Sequence, residues 1–131
     1  FGILMGVLPA ALASAEGMAA ADQVSLESYY QLMNEYLYTH SGMSRSAMSG
    51  AQHDAARDSI LALFQSYGLS AHLETFSSYY SGENVVAEKL GTLYPDQIFV
   101  FGAHYDSVNC PGANDNASGV AGVLEAARIL S

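Results

Sequence analysis

Positive charge is scarce in this chain. Four Lys plus Arg stand against thirteen Asp plus Glu, a formal net charge of -9 over 131 residues. Proteins that bind nucleic acid normally present a basic face, so this balance argues against that class of partner. The acidic surplus by itself speaks only of solubility. Cysteine is reduced to Cys110, which rules out an intrachain disulfide. A reactive or ligating role for that thiol lacks a matching Cys/His pair. Long apolar runs are missing too. The most apolar stretch, Phe1 to Ala15, falls short of the ~20 residues that span a bilayer. Internal repeats and low-complexity tracts are absent.

What remains is a chain with 50% hydrophobic residues, enough for the core of one modest domain. Residues 1–15, FGILMGVLPAALASA, are uncharged and end in Ala13-Ser14-Ala15 before Glu16. That pattern is the apolar region and small-residue cleavage site of a secretory signal peptide. Cleavage is expected to leave a mature, exported chain beginning at Glu16, secreted or periplasmic, with no stable membrane association. The first residue is Phe, and the helical run before Ser131 carries no stop signal. The chain is therefore expected to be a piece of a longer reading frame.

The layout expected for the rest is a lead-in helix and loop over 16–50, then the start of a larger domain over 51–131. Glu16 to Gln23 reads as a loose Ala-rich segment. A helix is expected over Ser25 to Tyr38 with Ser25 as N-cap. Its apolar stripe would be Leu26, Tyr29, Tyr30, Met33, Tyr36 and Leu37. His40 to Gly50 is a loop. A second helix, Ala51 to Tyr67, repeats Ala56, Ile60, Leu63, Phe64 and Tyr67 at helical spacing and stops at Gly68. Ala71 to Tyr80 and Asn84 to Lys89 read as a hairpin turning at Ser81-Gly82-Glu83. Gln97 to Ala103 is a strand too apolar for an exposed edge. Val120 to Leu130 is a helix with Val120, Val123, Leu124, Ala127 and Leu130 on one face. This order predicts an α/β protein with helices packed on a mixed sheet.

The chemistry concentrates in residues 102–119, GAHYDSVNCPGANDNASG. His104 and Asp106 leave a strand two residues apart, on the same side. A carboxylate so placed accepts the second ring N–H of the histidine and frees the other nitrogen for a metal. Asp115 follows Pro111-Gly112 and precedes a helix. Its two oxygens could bridge cations about 3.5–4 Å apart. Ser118 and Gly119 suit a helix start. His53, on the polar side of the second helix, His40 in a loop and His72 at a strand start read as surface or structural residues. Asn116-Ala117-Ser118 matches a glycosylation sequon, here read as fortuitous. Asn114-x-Asn116-x-Ser118-Gly119, followed by five residues and then Glu125, superficially copies a calcium-binding loop. Its first position is not Asp, and a strand leads in.

GAHYDSV followed by PGANDNASGVAGVLEAARIL resembles the co-catalytic zinc metallopeptidases, metallopeptidase family 28. That family includes secreted leucine aminopeptidases, aminopeptidase Y and glutamate carboxypeptidases. The resemblance implies a zinc exopeptidase fold: a three-layer sandwich, its mixed sheet flanked by helices, of which this would be the N-terminal portion. It implies an exported aminopeptidase acting on peptides through two Zn2+ ions. His104 would bind one zinc, Asp106 would orient His104, and Asp115 would bridge both ions, with Asp115-Asn116 as the peptide the family often holds cis. The Glu-Glu pair that supplies the general base and a ligand, a further Asp and a final His would all lie beyond Ser131; Glu125 is no substitute. Asn114 stands where many members carry Asp. A glutaminyl-cyclase-like enzyme around one zinc, and a non-catalytic relative of the same fold, remain open alternatives.

Overall fold

The computed structural model describes residues 15–34, 44–47, 50–79 and 81–131. The signal-peptide reading, apart from Ala15, lies outside the described residues, as do His40, Tyr36 and Leu37. Among the described residues no helix is long and apolar enough to cross a membrane.

The first helix, α1, covers Ala15–Ala21, where a loose segment was expected; its run of alanines is the best helix former available. The second, α2, covers Leu26–Gln31. Ser25 caps it as anticipated, its hydroxyl accepting from the Ser28 N–H at 3.2 Å. The expected stripe is only half right. Tyr29 and Met33 pack on the core and Leu32 is buried within it, but Leu26 and Tyr30 are exposed.

The longest helix, α3, runs Ala51–Ser66. Ala56, Ile60 and Phe64 are buried along one face, with Leu63 beside them. Gly68, at φ 79°, ends the helix. Its N–H bonds back to the Gln65 carbonyl and that of Leu69 to the Phe64 carbonyl, the paired bonds of a Schellman turn.

Strands β1, Ser70–Ser77, and β2, Ser81–Glu88, pair antiparallel with Ser77 opposite Ser81. The turn therefore falls before Ser81. Gly82 lies inside β2 opposite Phe76, where a Cβ would strike the Phe76 ring. Ala71 faces Ala87 across the ladder, and both pack with Val85 against the core. An isolated two-stranded ribbon is marginal in water; contacts with α3 support this one.

Among the described residues the third strand and the mixed sheet are not formed. The sheet among the described residues has two strands. Residues 97–103 run without a ladder, leaving Ile98 84% and Val100 85% exposed, with Phe99 and Phe101. The physical reason is pairing: a β-segment this apolar needs neighbours on both sides, and no described segment provides them. Beside it opens an apolar depression of about 1170 Å³, lined by Phe64, Val86, Phe101, Val123 and Ala127.

The last helix, α4, spans Ser118–Leu130. It buries Val120, Ala121 and Leu124 against α3 and α2, while Leu130 is exposed. Ala117 closes the core at its start. Helices and a small antiparallel sheet are thus compatible with the α/β class.

Candidate metal centre

The segment between residue 103 and α4 is irregular as far as Gly112 and then forms a kinked helical turn, Ala113–Ala117; the candidate site is built on it. Ala103 and Tyr105 pack inward, so alternation turns His104 and Asp106 to the other side. His104 Nδ1 lies 3.0 Å from Asp106 Oδ1. Its Nε2 lies 2.9 Å from Asp115 Oδ1. The three residues picked out in sequence are therefore brought together, with the imidazole between two carboxylates. Asp115 and Asn116 have non-helical φ/ψ, and the peptide between them is cis, as the resemblance implies. Asn116 Oδ1 accepts from the Gly119 N–H in the first turn of α4 at 3.1 Å. Ser118 Oγ donates to the Asn114 carbonyl at 2.8 Å.

A neutral imidazole has one N–H. With that proton donated to Asp106, the lone pair on Nε2 meets a carboxylate oxygen, and two acceptors stand 2.9 Å apart. Such a contact is satisfied by a proton shared between the two atoms or by a metal held by both. The pKa of His104 is raised accordingly. Partial burial, the largest single influence, opposes the shift, and the bonds to Asp115 and Asp106 together outweigh it. The side chains are well exposed, Asp115 at 87%, so the ion pair itself adds little stability. The donor set fits zinc. A ring nitrogen and a carboxylate oxygen at this spacing lie within reach of one ion with bonds of about 2.0–2.2 Å, and a carboxylate already holds the other ring nitrogen. No group of three or more His, Cys, Asp or Glu placed to hold a metal occurs among the described residues.

The calcium-loop alternative loses its last ligand. Glu125 is buried, with one oxygen on the Ser25 N–H at 2.9 Å and the other on Ser28 Oγ at 2.6 Å. Both oxygens also take bonds from Arg128. The bonds to Arg128, opposed by burial and joined by those to Ser28 and Ser25, lower its pKa to about 2. Cys110 is exposed and free. His72 is exposed within β1.

His53 does not lie on the polar side of its helix. It is buried, its ring 4.7 Å from that of Tyr105. Sequence spacing carried the signal: His53 is three residues before Ala56, on the same stripe as Ile60 and Phe64. Tyr105, next to His104, is further fixed by its hydroxyl, which donates to the Glu83 carbonyl at 2.8 Å. Arg45, the most deeply buried charged side chain described, was missed altogether. The signal available was its rarity, as one of four basic residues, in a loop of Ser, Gly and Met.

Comparison with known proteins finds relatives of the sequence that carries these residues. Residues 84–131 match the model of peptidase family M28. Leupeptin-inactivating enzyme 1 of Streptomyces exfoliatus is 30% identical over 138 residues, covering 99% of this chain and 31% of that protein. A protein of Pyricularia oryzae named "Probable zinc metalloprotease" is 46% identical over 57 residues, 37% of this chain and 11% of its own length. One of the same kind from Leptosphaeria maculans is 44% identical over 57 residues, 37% of this chain and 13% of its own. The chain thus spans a third or less of the curated relatives it matches. No solved structure matches it. Through the segment that carries His104, Asp106 and Asp115, the chain belongs to peptidase family M28.

Proposed function

We propose that this chain supplies one side of the metal centre of an exported zinc-dependent exopeptidase, most simply an aminopeptidase that removes N-terminal residues from peptides. The observation that carries the reading is the imidazole of His104 between Asp106 on Nδ1 and Asp115 on Nε2. Asp106 keeps the Nδ1 proton and so presents a lone pair at Nε2. His104 Nε2 and Asp115 Oδ1 would hold one zinc, and the second oxygen of Asp115 would reach a second ion. Bound zinc would supply Lewis acidity toward the scissile carbonyl and acidify a water. The general base, a glutamate, and the remaining ligands would come from residues beyond Ser131. A larger, mixed sheet in a three-layer sandwich, with strands alongside residues 97–103, would complete the fold.

Substitution in the full-length protein tests the reading. His104→Ala and Asp115→Ala should each lower bound zinc and abolish hydrolysis of an aminoacyl anilide. Asp106→Asn should keep more zinc than either yet lose activity, because it disturbs the orientation of the imidazole and leaves both ligands in place. Unchanged zinc content and hydrolysis in both ligand variants would refute the assignment. N-terminal sequencing of exported protein tests the export reading: a mature chain that retains residues 1–15 would sink it.

A further inference from the structure

We propose that Arg45 is a positioning residue for the metal centre, setting the separation of its two ligands from outside the segment that carries them. The proposal rests on the zinc reading above.

His104 and Asp115 are joined by a loop that is irregular as far as Gly112, where a kinked helical turn begins, and yet is partly buried: Ser107 and Gly112 are both buried. Backbone groups taken from water in an irregular segment need partners. Arg45 provides them for both arms of the loop at once. Its Nε donates to the Tyr105 carbonyl at 2.7 Å, one residue after His104. Its Nη1 donates to the Pro111 carbonyl at 2.7 Å and its Nη2 to the Gly112 carbonyl at 3.1 Å, three residues before Asp115. The backbone continues the join, with the Arg45 N–H on Ser107 Oγ at 2.9 Å and Ser44 Oγ on the Ser107 carbonyl at 2.9 Å. Ser107 Oγ in turn donates to the Cys110 carbonyl at 2.9 Å.

The guanidinium is planar and its donors are fixed in a fork. Carbonyls on the two arms that satisfy one such fork cannot drift apart independently. The spacing of the arms is thereby tied to the spacing of His104 and Asp115. Gly112 is part of the arrangement. At φ 61° it adopts a left-handed conformation, and a Cβ there would lie 2.9 Å from Arg45 Nη2 and 2.8 Å from the Asp115 carbonyl oxygen. Burial makes the cation costly; the negative charge of Asp106 offsets part of that cost. An ammonium is a point donor and cannot reach both arms in this geometry. The role therefore belongs to arginine and not to positive charge in general.

The test measures zinc retention in the full-length protein by competition with a chelator, beside anilide hydrolysis. Arg45→Met is expected to weaken zinc retention about 10- to 100-fold, the range for residues that orient metal ligands. Arg45→Lys is expected not to restore it. Under zinc-limited assay both should lower kcat with KM near the wild-type value. Ile60→Ala, a core substitution in α3 away from the loop, controls for lost stability and should retain zinc as the wild type does when folded. Should Arg45→Met fail to fold, Arg45→Lys decides. Zinc retention within twofold of wild type in the Arg45 variants, or equal loss in Ile60→Ala, would overturn the positioning role. A wild-type protein that retains no zinc would overturn the metal reading itself, and the Arg45 assignment with it.

Discussion

Glu125→Gln removes a charge and keeps the shape of the side chain, so it isolates what the buried carboxylate contributes. The Glu125 side chain is 4% exposed. It receives the Ser25 N–H, the Ser28 hydroxyl and two donors from Arg128, and Arg128 also donates to the Gln23 carbonyl at 2.9 Å. The group therefore pins the start of α2 to the middle of α4. A pKa lowered from 4.5 to about 2 corresponds to roughly 3 kcal/mol of linked stability. That figure is an upper value, because Arg128 is a third exposed and its pairing is screened. Removing one partner of a buried pair costs about 3–5 kcal/mol, in agreement on order of magnitude. The folded pKa lies below the unfolded one. The stabilisation is thus complete above about pH 4.5 and is lost as pH falls through about 2. Urea unfolding followed by circular dichroism should show Glu125→Gln less stable by roughly 2–3 kcal/mol at pH 7, with the gap closing between pH 4.5 and 2. A gap that stays constant across that window, or one below about 0.5 kcal/mol at pH 7, which is the scale of an exposed surface change, would refute the reasoning.

Three further outcomes are expected. Gly112→Ala should destabilise by at least roughly 2 kcal/mol, since alanine resists a left-handed φ and its Cβ would lie 2.6 Å from that of Ser107; thermal unfolding and zinc content check it. Phe64→Ala should cost about 3–5 kcal/mol, because Phe64 is buried in the core shared by α3 and α4; denaturant titration reads the loss. Residues 16–131 expressed alone should not hydrolyse an aminoacyl anilide with zinc present, since a catalytic zinc usually takes three protein ligands and the described residues converge two. Hydrolysis near the rate of the full-length protein would show that the catalytic apparatus lies within this chain.

Local rules carried the reading wherever the determinants were local. Ser25 as N-cap, the stripe Ala56-Ile60-Phe64 and the stop at Gly68 each depend on neighbours within about four residues, and each stands in the structure. The hairpin was placed to within a few residues; its turn was misplaced because Gly82 suggested a bend and in fact accommodates the Phe76 ring. The closeness of His104, Asp106 and Asp115 was legible from their places at a strand exit and a helix entry together with the family resemblance, since the His-x-Asp pair alone is weak evidence. Residues 97–103 show the opposite case. Composition specified a buried strand, but a strand is made by its neighbours, and no described segment lies alongside to pair with it.

Non-local contacts were invisible because they join residues far apart in sequence. Arg45 meets its acceptors 60 to 67 residues away, and Glu125 meets Ser25 at a separation of 100. Neither has a period or a spacing to betray it. Both could have been suspected from cost. Burying an ion is expensive unless it is fully bonded, so in a chain with four basic residues each one is worth placing. Two of them proved to be fasteners: Arg128 joins α4 to the turn before α2 through Gln23, and Arg45 joins the lead-in loop to the segment between His104 and Asp115. A third, Arg57, ties α3 to the hairpin through Glu83 at 2.6 Å. The residues proposed to hold the metal and the arginine proposed to position them thus come from different parts of the chain. A motif search finds only the first kind; the second shows in the bonds that Ser44 and Arg45, outside residues 84–131, make to residues 105–112.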